Sequence, residues 1–298
     1  MSEHRRKVVV AGGSGFIGSA LVPALRADGW EVVVLTRRAR RDGEVEWDGR
    51  TQGPWARELD GADGVVNLAG ESIGSGRWTR ARKERILASR VDATRAIVTA
   101  LGAAMPRPRV LVNASGIDFG GDRGDEIVTE EVAPGSSFLA RVCAEWEAAA
   151  REACALGVRT VTLRTPLVIG REAQAVKLMA LPFRAGFGGP LGDGEQWFPW
   201  VHVDDWVELC RRALVDESLR GPVNAVAPEQ LRQRQAARAF GRVLHRPAVM
   251  PTPAPALRLL LGEQADLLLH GQRARSEKLN GFGFRYATLE SALEEALR

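Results

Sequence analysis

Three glycines near the start of the chain have the spacing of a phosphate-binding turn. Gly12, Gly15 and Gly18 follow the β-branched run KVVVA and open a pattern typical of a helix. The first glycine permits a tight turn, the second lets the backbone approach a pyrophosphate, and the third lets helix and strand pack closely. The N–H groups and the positive dipole end of a helix N-terminus also favour phosphate. This segment therefore predicts a dinucleotide-binding site.

The residues after the second apolar run indicate which dinucleotide binds. Chains that bind NAD usually place an acidic residue there, which accepts a hydrogen bond from the ribose 2′-hydroxyl. Here the run ends with Thr36, Arg37 and Arg38, and no acidic residue comes before Asp42. An arginine binds a 2′-phosphate through charge-assisted, forked hydrogen bonds, whereas a carboxylate repels it. The sequence favours NADP(H), with a plain surface role for Arg37 as the alternative.

Alternating strand-like and helix-like segments must position these residues. Predicted strands lie at 7–11, 31–36, 64–68, 110–113 and 158–164, and helical patterns lie at 15–28, 79–101 and 137–156. Continuous apolar strands separated by helices indicate a parallel sheet that is covered on both faces. We predict an α/β fold, in which a doubly wound parallel sheet (Rossmann fold) carries a smaller, mostly helical C-terminal domain.

The pattern changes after Gly170, and this change predicts a second domain. Residues 1–170 are the expected NADP-binding domain, to which the chain returns at about 200–226. Residues 171–298 are the expected substrate domain. Within it, residues 186–194 (GFGGPLGDG) are too rich in glycine for regular structure and are expected to form a flap.

Charge and hydropathy limit the classes of partner. The chain has 41 basic and 37 acidic residues, and arginines cluster at 37–41 and 77–85. Such clusters can bind nucleic acid, but NADP(H) accounts for the first of them, so we expect no nucleic-acid partner. No run approaches the roughly 20 apolar residues of a membrane helix, and the N-terminus has no apolar signal segment. We therefore expect no membrane partner and a cytoplasmic location. We also expect a small-molecule substrate and a monomer or homodimer.

Several later motifs resemble those of the extended short-chain dehydrogenase/reductase superfamily, also called the NAD-dependent epimerase/dehydratase superfamily. These motifs are NLAG after the third predicted strand, NASGIDFG after the fourth, and WVHVDD before a later helix. More narrowly, NLAGESI, FLARVCAEWEAAA and LPFRAGFGGPLGDGEQWFPWVHVDD resemble the atypical YfcH-like epimerase family proteins. The C-terminal residues resemble the domain of unknown function that closes those chains, except that Ala287 stands where the family usually has proline.

The resemblance implies a set of cofactor-binding residues in three turns and at two later positions. They are Gly12, Ser14, Gly15, Phe16, Ile17 and Gly18, then Thr36 and Arg37, then Leu68, Ala69, Gly70 and Glu71, and finally Arg90 and Pro166. Pro166 is expected to shape the turn beside the nicotinamide. For Arg90, which lies on a very basic helix, a solvated helix face is the alternative.

The same resemblance implies that this chain lacks the family's usual proton donor. The superfamily moves a proton with a tyrosine, whose pKa is lowered from about 10 by a lysine one helical turn later. Those positions are Phe138 and Val142 here, and neither side chain titrates. Ser115 matches the hydroxyl that orients a substrate carbonyl in the family. Asp118 would donate a proton if burial raised its pKa; a loop-capping role is the alternative.

Two functions follow from these residues. The first is an NADP(H)-dependent oxidoreductase or epimerase-type enzyme that acts on an unidentified small carbonyl or sugar-like molecule, with Ser115 and Asp118 as catalytic residues. The second is an NADP(H)-sensing regulatory protein that performs no chemistry, because such a protein would tolerate loss of the tyrosine and lysine while it keeps the phosphate turn.

Overall fold

The computed structural model describes residues 5–298, so residues 1–4 of the expected first domain lie outside the description. Its strands are β1 Lys7–Ala11, β2 Glu31–Thr36, β3 Glu44–Glu46, β4 Gly64–Asn67, β5 Val110–Gly116, β6 Ile127–Val128, β7 Arg159–Thr165, β8 Leu167–Ile169, β9 Trp200–His202, β10 Gly221–Asn224 and β11 Arg273–Ala274. Seven of them form one sheet in the order β10-β7-β5-β4-β1-β2-β3, and all of their pairings are parallel. The remaining four form two small parallel pairs, β11 with β6 and β8 with β9.

Helices cover both faces of the seven-stranded sheet. The described helices are α1 Phe16–Ala27, α2 Arg80–Ala103, α3 Phe138–Arg151, α4 Gln174–Arg184, α5 Val203–Val215, α6 Gln233–Leu244, α7 Ala254–Leu261, α8 Asp266–Leu269 and α9 Leu289–Leu297. Val10 and Val112 of the sheet pack with α1 and α5 on one face. Val9 and Leu111 pack with α2 on the other face. The predicted doubly wound α/β fold is confirmed.

The structure differs from the sequence prediction in the shortest elements and at element ends. β3, β6, β8 and β11 were not predicted, because two or three residues are too few to show an apolar period. β5 continues to Gly116, three residues beyond the expected strand end. The third predicted helix ends as an α-helix at Arg151 and continues as a 3₁₀ turn to Leu156.

The WVHVDD segment fastens the C-terminal region to the sheet domain. Asp205 of α5 accepts hydrogen bonds from the backbone N–H groups of Arg285 and Tyr286, at 2.7 and 3.0 Å. His202 is buried, and its Nδ1 accepts a hydrogen bond from the backbone N–H of Asp204. Its Nε2 therefore carries the ring proton and donates it to Glu295 Oε2 of α9 at 3.1 Å. These bonds give His202 a structural role.

Within residues 5–298, no helix combines the length and the apolar character that a membrane span requires.

Candidate functional site

The strand register gathers the predicted site residues at one edge of the sheet. Residues at or near the carboxyl ends of neighbouring strands pair directly: Ala11 with Leu35 and Asn67, Asn67 with Asn113, and Gly116 with Thr165. Because these strands are parallel, the turns that follow them lie side by side at their carboxyl ends. The strand order also reverses between β1 and β4, and this is where open α/β sheets bind ligands.

The first turn packs closely against the neighbouring backbone only because it contains glycine. Gly12 has a φ of +77°, and a Cβ there would lie 2.8 Å from the carbonyl carbon of Leu68. A Cβ on Gly18 would lie 2.5 Å from the Cα of Gly13. Both distances are below any real Cβ contact, so α1 approaches β1 closely and begins at the sheet edge. The start of α1 thus lies where dinucleotide-binding folds hold a pyrophosphate.

The N-terminus of α1 differs from those of α2 and α3. Thr79 caps α2 by accepting from the N–H of Arg82, and Ser137 caps α3 by accepting from the N–H of Ala140. The N-cap of α1 is Gly15, which offers no side-chain acceptor. The first-turn N–H groups of α1 are thus left for an anion.

The other predicted residues of this turn face different surroundings. Ser14 is exposed, Phe16 packs against the cluster that contains Val176 and Phe240, and Ile17 packs against the core beneath α1. Phe16 also lies close to Gly170, where a Cβ would be 3.1 Å from its ring. Phe16 and Ile17 therefore fix the direction of the turn.

Two arginines stand free beside the phosphate turn. Arg37 and Arg38 directly follow Thr36, the last residue of β2, and both side chains are exposed. In the described part of the chain, neither side chain has a hydrogen-bond or ion-pair partner. Unpaired guanidinium groups next to a phosphate-binding turn are suited to a second phosphate.

A buried polar network shapes the turn after β4. The backbone N–H of Ala69 donates to Asn67 Oδ1 at 3.1 Å. Asn67 Nδ2 in turn donates to Asn113 Oδ1 at 2.7 Å and to Thr94 Oγ1 at 2.9 Å. The indole N–H of Trp146 also donates to Thr94 Oγ1, at 3.0 Å. Four elements thus hold one short turn, which carries Leu68 and Ala69 at the sheet edge.

Contacts between Glu71 and arginines of α2, including Arg90, hold the same turn. The Glu71 carboxylate pairs with Arg82 and lies 3.6 Å from Arg85, so it is directed to α2. Arg90 Nη1 donates to the carbonyl oxygen of Glu71 at 3.0 Å. A Cβ on Gly70 would lie 3.2 Å from the guanidinium carbon of Arg90, and burial lowers the pKa of this arginine. Arg90 is therefore packed against the turn and is not a solvated face.

Ser115 is buried and its hydroxyl proton is already used. Its Oγ donates to Glu147 Oε1 at 2.7 Å. The Glu147 carboxylate forms a forked ion pair with Arg164, at 2.8 and 3.0 Å, and both side chains are buried. A hydroxyl has a single proton to donate, so in this geometry Ser115 can only accept.

Sequence reasoning did not find Glu147 or Arg164. The available signal was a charged residue on an apolar surface: Glu147 follows Trp146 on the inward face of α3, and Arg164 lies in an otherwise uncharged part of β7. Charges at such positions require a partner, because an unpaired buried charge is very costly.

Of the two predicted catalytic residues, Ser115 and Asp118, only Asp118 can donate a proton to a ligand. It lies partly buried in the 3₁₀ turn Ile117–Gly120, between the buried side chains of Ile117 and Phe119. Within residues 5–298 its carboxyl has no ion-pair partner. Burial raises the pKa of Asp118 to about 6, although a hydrogen bond with its own backbone N–H opposes the shift. Burial, with the charges of Asp118 and Glu147, raises the pKa of the nearby Cys143 thiol to about 12.

Phe138 and Val142, which the resemblance places at the family's tyrosine and lysine positions, belong to an apolar cluster. Phe138 meets the ring of Trp78 edge-on, with the ring centres 5.3 Å apart. Val142 is buried with Trp78 and Ile86, and Leu267 of α8 packs against the same cluster. The ring therefore serves packing, and no polar side chain replaces the dyad at these two positions.

Contacts from the C-terminal region cover this cluster. Lys83 of α2 pairs with Glu263 at 2.6 Å, and its ammonium lies 5.5 Å from the centre of the Phe138 ring. Gln264 Nε2 donates to the carbonyl oxygen of Ile73 at 3.1 Å. The C-terminal region thus covers the start of α3.

Pro166 lies at the same sheet edge as the turns described above. It is buried between the end of β7 and the start of β8. The preceding Thr165 accepts a hydrogen bond from the indole N–H of Trp206 at 3.0 Å, which fixes the strand end.

Comparisons with known proteins agree with this geometry. Residues 8–225 match the model of the NAD dependent epimerase/dehydratase family, and residues 252–296 match a domain of unknown function, DUF1731. The chain is 35% identical to the epimerase family protein YfhF of Bacillus subtilis, over 97% of each chain. It is 37% identical to the chloroplastic SDR39U1 homolog of Arabidopsis thaliana, over 99% of this chain and 88% of the relative.

A solved structure supports the same family assignment. The human epimerase family protein SDR39U1, crystallised with NADPH, superposes with a TM-score of 0.88 at 33% identity, over 97% of this chain and 98% of the human chain. The predicted family resemblance is confirmed: the chain belongs to the NAD dependent epimerase/dehydratase family, and its C-terminal region is of the DUF1731 type.

Proposed function

We propose that the chain is an NADP(H)-dependent oxidoreductase of the short-chain type, acting on a small carbonyl or sugar-like molecule, with Asp118 as its proton donor. Three features support NADP(H) as the cofactor: the glycine turn after β1, the exposed Arg37 and Arg38, and the NADPH bound by the human relative. We also propose a cytoplasmic location for the protein.

Each turn at the sheet edge has a role in binding. The first-turn N–H groups of α1 would bind the pyrophosphate, and Arg37 would bind the 2′-phosphate. The turn from Leu68 to Gly70, held by Asn67 and Arg90, would support the nicotinamide half. When bound, NADP(H) supplies or accepts the hydride.

The observation that carries the proposal is the contrast between Ser115 and Asp118. The serine proton is donated to Glu147, so it cannot be the proton that a carbonyl receives. The carboxyl of Asp118 follows on the same strand end, has no ion-pair partner among residues 5–298, and has a pKa of about 6. A pKa near neutrality is what a general acid needs, because enough of the group is protonated and the proton leaves readily.

Replacement of the carboxyl tests this role. Asp118→Asn keeps the shape but cannot donate the proton, so turnover should fall by about 10²- to 10⁴-fold, the typical contribution of a general acid. The wild-type rate of carbonyl reduction should fall as the pH rises through about 6, because the acid form of Asp118 is lost. NADPH consumption would be followed with a panel of small aldehydes, ketones and sugars.

The matched control is Asp122→Asn, which removes a carboxylate four residues away that is already hydrogen-bonded to His270. Its turnover and pH profile should match those of the wild type. Equal turnover in the wild type and Asp118→Asn would remove Asp118 from the mechanism.

A second function is favoured by the closed cluster at Phe138 and Val142. This cluster joins α2, α3 and α8, so it connects the cofactor edge to the C-terminal region. A regulatory protein that senses NADP(H) without chemistry would use such a connection to change shape. Small-angle scattering with and without NADPH tests it, since identical profiles in the presence of confirmed binding would exclude the sensor.

A further inference from the structure

Helix α4 is apolar on the face that it presents to solvent. Its inward residues Val176, Ala180 and Phe183 are buried. Its outward residues Leu178 and Leu181 are each 53% exposed. A helix that is apolar on opposite faces is normally buried on both, so the outward face of α4 is a candidate contact surface.

The apolar surface continues beyond the helix. The backbone N–H of Phe187 donates to the carbonyl oxygen of Pro182 at 2.8 Å, which folds Phe187 back onto the end of α4. The N–H of Met250 donates to the carbonyl oxygen of Gly188 at 3.1 Å, so the 249–250 segment lies alongside. Phe187 is 63% exposed, Val249 74% and Met250 48%.

We call these five side chains the α4 patch: Leu178, Leu181, Phe187, Val249 and Met250. Five apolar side chains that are about half exposed or more make a surface on the order of several hundred Å². Apolar patches of this size on a single chain often mark an interaction site.

Basic side chains border the α4 patch. Val249 is also part of an open hollow of ≈ 580 Å³, whose lining includes Arg238, Arg242, His245 and Arg246. Arg242 pairs with Glu290 at 2.7 Å. Within residues 5–298, Arg238 and Arg246 have no ion-pair partner and are exposed, and so is Arg184 at the end of α4. The border therefore carries unneutralised positive charge.

The positive charge of this border indicates what kind of partner binds the α4 patch. A second copy of the chain, joined through the same surface, would bring these arginines towards their own counterparts. A protein partner would have to match this surface with apolar groups bordered by acidic ones, and the backbone N–H groups of Phe187 and Met250 are already bonded inside the chain. A lipid bilayer requires only apolar side chains that insert and basic side chains at the level of anionic headgroups.

We propose that the α4 patch docks the protein peripherally on an anionic lipid bilayer. The sequence led us to expect no membrane partner, because no run is long enough to span a bilayer. A peripheral contact needs no spanning segment, since the apolar side chains enter only the boundary between headgroups and acyl chains.

Vesicle co-sedimentation of the full chain tests the proposal. The protein should bind vesicles that contain phosphatidylglycerol, bind vesicles of phosphatidylcholine alone at least tenfold more weakly, and be released by salt. The double variant Phe187→Glu/Val249→Glu should bind at least tenfold more weakly, because charge opposes insertion. Arg238→Gln/Arg246→Gln should weaken binding and flatten its salt dependence.

Matched controls lie far from the patch. Met105→Glu alters an apolar side chain that is 81% exposed, and Arg57→Gln removes an exposed charge. Both should bind like the wild type, and all variants should keep the wild-type affinity for NADPH, which separates this proposal from the proposed function. No binding to anionic vesicles, or equal losses in the controls, would overturn it. A dimer in sedimentation equilibrium that Phe187→Glu dissociates would also overturn it, by assigning the patch to a second copy.

Discussion

The turn after β1 and the start of α3 lie at the same sheet edge, but they differ in what they keep of the family's chemistry. At the first, Gly12 and Gly18 allow a close approach of backbone segments that a Cβ would prevent, and no side chain caps the helix. At the second, Phe138 and Val142 fill the place of two titrating side chains and pack against Trp78. The glycine turn thus keeps features that suit a cofactor, whereas the side chains of Phe138 and Val142 offer no group that transfers a proton.

The physical cause of this difference is the surroundings of each region. The phosphate turn meets an anion and needs backbone N–H groups, which depend on geometry alone. The start of α3 is covered by the C-terminal region through Lys83–Glu263 and Leu267. A lysine at position 142 would be buried there without a partner. The C-terminal region thus favours apolar residues at positions 138 and 142. In our proposal the acid is Asp118.

The largest effect is expected from Gly12→Ala. The new Cβ would meet the Leu68 carbonyl carbon at 2.8 Å in a residue with φ of +77°. NADPH affinity measured by calorimetry should fall at least about a hundredfold. Gly29→Ala is the control, because Gly29 has a φ of +81° but nothing within 4 Å of its Cβ position. If both variants bound NADPH equally well, the close approach would not matter.

Val142→Lys tests the apolar surroundings at the start of α3. The ammonium would enter a buried apolar cluster, so the free energy of unfolding should fall by about 2 kcal/mol. Urea denaturation measures this loss. Ala148→Lys, at an exposed position of the same helix, should change it little. Unchanged stability together with faster turnover in Val142→Lys would mean that the position opens into the site.

Arg37→Ser sharpens the assignment of the cofactor. Loss of a free guanidinium beside the phosphate turn should weaken NADPH binding about tenfold and leave NADH binding nearly unchanged. The exposed Arg57→Ser controls for the change in net charge. Parallel losses for both dinucleotides would show that Arg37 does not contact the 2′-phosphate.

The smallest effect concerns the pH dependence of stability. Asp118 has a folded-state pKa of about 6, above its ordinary value of 3.8. Between these values the folded chain binds more protons than the unfolded chain, so this carboxyl lowers stability as the pH rises, and the full penalty is present above the folded pKa. Asp118→Asn should therefore raise the free energy of unfolding by on the order of 1 kcal/mol above pH ~7 and leave it unchanged below pH ~4.

Thermal unfolding across this pH range makes the measurement. A stability difference between Asp118→Asn and the wild type that does not depend on pH would place the carboxyl in a solvated environment.

The sequence predicted the sheet and the position of the glycine turn after β1 well because both depend on local signals. Runs such as KVVVA and EVVVLT mark buried strands, and Gly12 to Gly18 mark the turn, whatever the rest of the chain does. The two-residue strands β6 and β11 depend on a contact between distant segments, which a local pattern cannot reveal.

The surroundings of Ser115 were harder to predict. Its role depends on Glu147, 32 residues later, and on Arg164, 17 residues after that, which meet only when α3 packs on β7. The motif placed the serine at the right strand end, but only the folded packing shows where its proton goes. Asp118 was visible in the sequence, whereas its raised pKa follows from burial in the folded chain.

The most direct test follows the hydride. NADPH deuterated separately on each face of C4 would be incubated with the protein and a cell extract, and mass spectrometry would search for deuterium in metabolites. Gly12→Ala, which should not bind the cofactor, is the control for background exchange. We predict transfer from one face only, into one class of carbonyl or sugar-like product. No transfer from either face, with NADPH binding confirmed by calorimetry, would contradict an enzymatic role and leave the sensor.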